Sequence, residues 1–161
     1  MLATSEAFSP WNLTREWAEW LARFPWTHFE TLTFKEPRPS ARSCLGCLRA
    51  HRRRLSRVGV ESRFFAVVEG GRSSTRMHVH ALSHLGWSRD RAPARALLSG
   101  QQAIHRTAWR VWHDHYGRAR ISPLGSDAVG ASYYVAKYMF KGGDSTGIFL
   151  PDDGWSPYLP A

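Results

Sequence analysis

Arg63-Phe64-Phe65-Ala66-Val67-Val68-Glu69 and Met77-His78-Val79-His80-Ala81-Leu82 are the two stretches whose reading decides the fold. The second alternates as a strand does, so that His78 and His80 point to one side and Val79 to the other. The first is a continuous apolar run that ends in a carboxylate just before Gly70-Gly71 and a short polar loop. Joined as a hairpin, the two place Glu69 near His78 across the ladder. Two imidazoles on a rigid strand are too few donors for a divalent ion, and Glu69 is the expected third ligand.

Outward from this hairpin the chain reads as alternating helices and strands. Leu13, Trp17, Trp20, Leu21 and Phe24 recur at helical spacing over Pro10 to Phe24, and Pro25 stops the helix. A strand over Trp26 to Phe34 follows. After Pro37-Arg38-Pro39-Ser40, a basic helix is expected over about Ala41 to Val58. Pro93 opens a longer helix through Tyr116 that Gly117 ends, and Arg118 to Leu124 reads as another strand. The tail from Gly142 reads as irregular, with Ile148, Phe149, Trp155 and Tyr158 available to tie it to the body. The order predicts an α+β fold, a central antiparallel sheet with flanking helices related to the RNA-recognition type.

The last helix carries Tyr133-Tyr134-Val135-Ala136-Lys137-Tyr138-Met139-Phe140-Lys141, with Asp127 or Ser126 as its cap. At roughly 100° per residue, Tyr134 and Tyr138 stand about 40° apart, with Lys137 and Lys141 beside them. Ala128, Ser132, Val135 and Met139 form a small or apolar opposite stripe that docks on the sheet and leaves the tyrosines outward. Tyr133 points away from Tyr134 and is expected to be structural. Paired histidines, a carboxylate and a phenol supply what metal-assisted attack on a phosphodiester requires.

These motifs resemble those of the HUH endonucleases, particularly the initiators of rolling-circle replication. The His-Val-His pair resembles the family's metal motif and Tyr-x-x-Lys its nucleophile motif. Phe29-Glu30-Thr31-Leu32-Thr33-Phe34 resembles the strand that comes first, and all three occur in the family's order. Tyr-Val-Ala-Lys-Tyr resembles the two-tyrosine branch, typified by phage gene A initiators. The resemblance implies an ion, Mn²⁺ or Mg²⁺, held by His78, His80 and Glu69. It implies attack by Tyr134 and then Tyr138 to give a 5′-phosphotyrosine link, with Lys137 and Lys141 on the phosphate. It also implies single-stranded DNA, an origin hairpin above all, and the host helicase and polymerase as partners. A single-strand transposase and a noncatalytic nucleic-acid module are the alternatives.

Composition agrees. Twenty-two Lys and Arg against 13 Asp and Glu give a net charge of +9, which favours a polyanion. Thr31, Thr33 and Arg76 are expected near DNA. Arg52 and Arg53 offer a basic helix face that is solvated or lies along a DNA strand. The 161 residues are expected to form one domain over 1–161, without a fused helicase, membrane span or signal peptide, in the cytoplasm. Cys44, Cys47 and His51 approach a zinc spacing but lack a fourth ligand, so two reduced thiols near a helix start are expected.

Overall fold

The computed structural model describes residues 10–70, 76–90, 92, 101–141 and 148–149. In chain order the elements are α1 (Pro10–Leu21), β1 (His28–Thr33), α2 (Ala41–Arg57), β2 (Val60–Glu69) and β3 (His78–Trp87). They continue with α3 (Gln101–His115), β4 (Ala119–Pro123), α4 (Ala128–Phe140) and β5 (Ile148–Phe149). The strands form one antiparallel sheet in the order β4-β1-β3-β2-β5. The α+β expectation therefore holds, with the histidine strand β3 in the middle.

Both faces of the sheet are covered, which explains the unbroken apolar run of β2. Phe64, Ala66 and Val68 turn to one face, where they pack with Val79, Ala81 and Leu85 of β3, with Leu48 and Leu55 of α2, and with Ile104, Ala108 and Trp112 of α3. Phe65 and Val67 turn to the other with Leu82, against Ala18 and Leu21 of α1 and Val135 and Ala136 of α4. Each fully buried Phe or Leu of this kind contributes roughly 1.5–3 kcal/mol. Trp112 adds a polar tether, its indole N–H donating to the Thr33 carbonyl at 3.0 Å.

Local chemistry sets the boundaries. Ser40 caps α2 by accepting from the Ser43 amide, and Asp127 caps α4 by accepting from the Gly130 amide at 3.1 Å. Helix α1 closes at Leu21, with a turn before Pro25, rather than running to Phe24. The hairpin is longer than its apolar centre suggests: β2 begins at Val60 and β3 continues to Trp87, through pairs such as Glu61 with Gly86 and Arg63 with His84. The irregular tail is corrected at one place, since Ile148 and Phe149 pair with Val67 and Ala66 on the edge of β2. The rest of that tail, Trp155 and Tyr158 included, and the expected helix start at Pro93 lie outside the described residues. Gly117 ends α3 where the backbone passes β1. A Cβ there would stand 2.6 Å from the Thr33 carbonyl oxygen, so only glycine fits the crossing.

Glu30 lies on the α2–α3 face, fully buried, one oxygen accepting from the Ser83 hydroxyl and the other without a protein partner. Burial pushes its carboxyl up to about 7, against the opposing pull of the Ser83 bond. A folded value above the unfolded one means that Glu30 favours the fold below about pH 4.5 and that this contribution is lost as the pH rises through about 7. Glu30→Gln should remove a slope of order 1.4 kcal/mol per pH unit within that window. Burial lowers His28 to about 4 and His51 to about 3, which gives slopes of opposite sign, but these are common to both proteins and cancel in the comparison. Urea unfolding at pH 5 and pH 8 tests this: the variant should gain on wild type at pH 8, and an equal difference at both pH values would refute it.

Candidate active site

Register brings the hairpin groups together as the sequence suggests. Glu69 faces His78 across β2 and β3, while Thr31 and Thr33 of β1 face His80 and His78 from the other side. All five point to the face covered by α1 and α4. His80, buried at 4% exposure, has its Nε2 3.0 Å from Glu69 Oε2 and its Nδ1 at a longer 3.4 Å from the Thr31 hydroxyl. Glu69 also accepts from Lys141 Nζ at 2.8 Å, so one carboxylate joins the central strand to the end of α4.

Helix α4 sets its phenols directly on this cluster. Ser132, Val135 and Ala136 are its buried side, against Phe65, Val67 and Leu82. The expectation of tyrosines facing away from the sheet is corrected by this placement. The Tyr138 ring stacks on His80 with centroids 4.4 Å apart and planes 15° off parallel. Tyr134 meets His80 edge-on at 5.6 Å and remains 42% exposed. Helical periodicity fixes the angle between two side chains, whereas the docking of the helix decides which neighbour they meet. The Tyr138 hydroxyl donates to the Tyr134 oxygen at 2.9 Å. Tyr133 faces elsewhere, 6.0 Å from Trp11 of α1, in keeping with a structural role.

Electrostatics separate the two phenols. Burial raises the Tyr138 hydroxyl well above its ordinary value, with the bond to Tyr134 and the Glu69 charge acting in the same direction. Tyr138 thus holds its proton and donates it. Partial burial would raise Glu69, but its bonds to Lys141 and His80 outweigh that and hold it below the usual carboxylate range. Burial lowers His80, with Glu69 opposing and the charges of His78 and Lys141 adding to the effect, so the ring is neutral at neutral pH. Lys141 Nζ lies 4.9 Å from the Tyr138 ring centroid and the exposed Lys137 Nζ lies 6.0 Å from it.

Two grooves flank the cluster, the first of them basic. One, of about 390 Å³, is lined by Thr33, His78, Arg76, Lys35 and Arg118 among others. The second, of about 480 Å³, runs past Phe29, Thr31, Arg120, Ser122 and Tyr134. Phe29, Lys35, Arg118 and Arg120 were absent from the sequence-based site. The signal for two of them was the strand period, since Phe29 precedes Thr31 by two and Arg120 pairs with Thr31 across the sheet. Phe29 packs edge-on against Tyr134 at 5.4 Å and flat beside His80 at 6.4 Å. Arg52 and Arg53 are not brought to the site, because α2 covers the opposite face.

Residues 27–143 match the family described as Replication-associated protein ORF2/gene 2 protein. The chain belongs to this family. The match spans both grooves, the histidine strand and the whole tyrosine helix, so the replication-associated family covers every element that builds the cluster. No curated protein and no solved structure matches the chain. Among the described residues of this replication-associated protein, no helix is long and apolar enough to cross a membrane. Nor do three His, Cys, Asp or Glu side chains among them come close enough together to hold a metal ion. His80 and Glu69 are in bonding contact, and His78 stands beside Glu69 on the same face without joining them.

Proposed function

We propose that this replication-associated protein is a metal-dependent enzyme that nicks and joins single-stranded DNA through a covalent phosphotyrosine, as an initiator of rolling-circle replication. The observation that carries the reading is the packing of two α4 phenols against an imidazole on the central strand that is itself hydrogen-bonded to a carboxylate.

The donor set suits Mn²⁺ or Mg²⁺. His80 and Glu69, whose Nε2 and Oε2 lie 3.0 Å apart, would hold such an ion between them. His78 would complete the set by a rotation of its side chain. When bound, such an ion polarises the scissile phosphate and offsets charge in the transition state. With Nε2 on the ion, His80 would carry its proton on Nδ1, and the Thr31 hydroxyl, 3.4 Å away, would be the group to accept it.

Tyr134 is the nucleophile in this scheme. Because Tyr138 donates to its oxygen, the Tyr134 proton points outward and can leave, and the developing phenolate is met by a hydrogen bond. Its oxygen bonds to phosphorus as the bond from phosphorus to the 3′ oxygen breaks. The products are a 5′-phosphotyrosine and a 3′-hydroxyl that a host polymerase extends. Lys137 and Lys141 offset phosphate charge at the open end of the cluster, and Lys35, Arg76, Arg118 and Arg120 hold the flanking strand. Tyr138 serves as the second nucleophile once Tyr134 is occupied.

Incubation with single-stranded oligonucleotides and Mn²⁺ should yield a strand covalently attached to the protein. Binding without any adduct, across an origin-hairpin set and a random pool, would leave only a nucleic-acid-binding module. Tyr138→Phe should slow formation of the first adduct about tenfold, the worth of one hydrogen bond to a charged oxygen. Single-turnover rates read the effect, and an unchanged rate would separate Tyr138 from the first step.

A further inference from the structure

On the face of the sheet opposite the tyrosines, Cys44, Cys47 and Met77 gather three sulfurs that the proposed nicking chemistry does not use. We propose that they form a site for one soft monovalent cation, Cu(I) by the chemistry of its donors.

Cys44 and Cys47 are three apart on α2 and so share one helix face, and both pack, as Met77 does, into the cluster between α2 and the sheet. Cys44 Sγ lies 3.6 Å from Met77 Sδ. Three sulfurs bonded to one ion at about 2.3 Å in a trigonal arrangement stand roughly 4.0 Å apart, so closing around an ion moves this pair only a few tenths of an ångström. Two thiolates and a thioether are the donors that select Cu(I). Among the described residues, no nitrogen or oxygen ligand joins the two thiols in a set of three. His51 is buried with neither ring nitrogen partnered, but its ring is fixed edge-on to Trp112 at 5.2 Å and it completes no ligand set with the thiols. A zinc ion, which takes four ligands in structural sites, is therefore disfavoured.

Charge and access agree with a monovalent ion. Two thiolates and Cu(I) leave one net negative charge, and the guanidiniums of Arg38 and Arg54 act on this site, Arg38 on both sulfurs and Arg54 on Cys47. Burial pushes the Cys44 thiol up to about 11, so the metal-free pair stays protonated and both cysteines remain free thiols. Loading forms two thiolate–copper bonds and one dative thioether bond, releases two protons to solvent and changes no oxidation state. Cys47 is only half-buried and gives the ion its way in. Because Met77 immediately precedes His78, an occupied site ties α2 to the start of the histidine strand.

The test is anaerobic titration of the full chain with Cu(I) against a chromophoric Cu(I) chelator, with circular dichroism to follow the fold. Wild type should retain one ion per chain, Cys44→Ser and Cys47→Ser should lose at least about 100-fold in affinity, and Met77→Leu about tenfold, while excess Zn²⁺ should not displace the copper. Loss of the ion from wild type to the chelator would overturn the proposal, as would equal retention by the double serine variant. If the serine variants unfold, Met77→Leu decides alone, since leucine keeps the volume and removes only the donor. Wild-type affinity in that variant would reduce the sulfur contact to packing.

Discussion

Tyr134→Phe should abolish the proposed covalent protein–DNA adduct, by at least about 10³-fold, while affinity for the same oligonucleotide stays within about twofold. Only the attacking oxygen is removed. The ring keeps its edge-on contacts with Phe29 at 5.4 Å and His80 at 5.6 Å, so helix α4 has no reason to shift. The Tyr134 side chain is partly exposed, and the change removes one hydrogen bond, from Tyr138, so the cost in stability should be about 1 kcal/mol. Denaturing gel electrophoresis reads the adduct and fluorescence anisotropy reads binding. Mass spectrometry of the wild-type adduct should place the nucleotide on Tyr134 before Tyr138. An undiminished adduct in the phenylalanine variant would move the nucleophile elsewhere.

Alanine at both His78 and His80 should remove Mn²⁺-dependent cleavage to a similar extent, and the single changes separate ligand from scaffold. His80 is the hydrogen-bond partner of Glu69 and the stacking partner of Tyr138, so its loss removes a donor and also leaves a gap beneath the phenol. His78→Ala leaves both contacts intact. In that variant, activity should return at high Mn²⁺, with the half-maximal concentration raised at least about tenfold, because two donors still bind a metal more weakly than three. An unchanged Mn²⁺ midpoint, or cleavage that persists in chelator, would remove the histidines from the metal site. The Tyr134→Phe variant serves as control, since it should keep the wild-type response to Mn²⁺ in oligonucleotide binding.

Much of this arrangement could be read from residue spacing, because a period of two is rigid. Once Met77–Leu82 is a strand, His78 and His80 must share a face, and the polar loop after Glu69 puts that carboxylate opposite His78. The Asp127 cap and the separate fate of Tyr133 follow equally from local rules. What spacing does not carry is the choice of layer. Arg52 and Arg53 sit on a helix whose apolar stripe fits either side of the sheet, and α2 covers the side away from the tyrosines. The inward turn of Tyr138 has the same origin, since the periodicity of α4 ranks its side chains by angle but does not say what lies beneath them. The polar residues Glu61 and Ser62, just before the expected start at Arg63, hid the true start of β2 at Val60. The groove cations Lys35, Arg118 and Arg120 were hidden by their abundance in a chain with 22 basic residues.

The packing of α1 on α4 bears on how such a chain can be shortened. The family match begins at residue 27, and a protein trimmed to that boundary would retain every proposed reactive group. It would also lose Ala18 and Leu21, whose burial against Val135 and Ala136 holds the tyrosine helix down, and Trp11, which braces Tyr133. The trimmed chain would carry its chemistry on an unanchored lever, so that a minimal domain drawn from sequence similarity alone is a folded sheet with its phenols adrift.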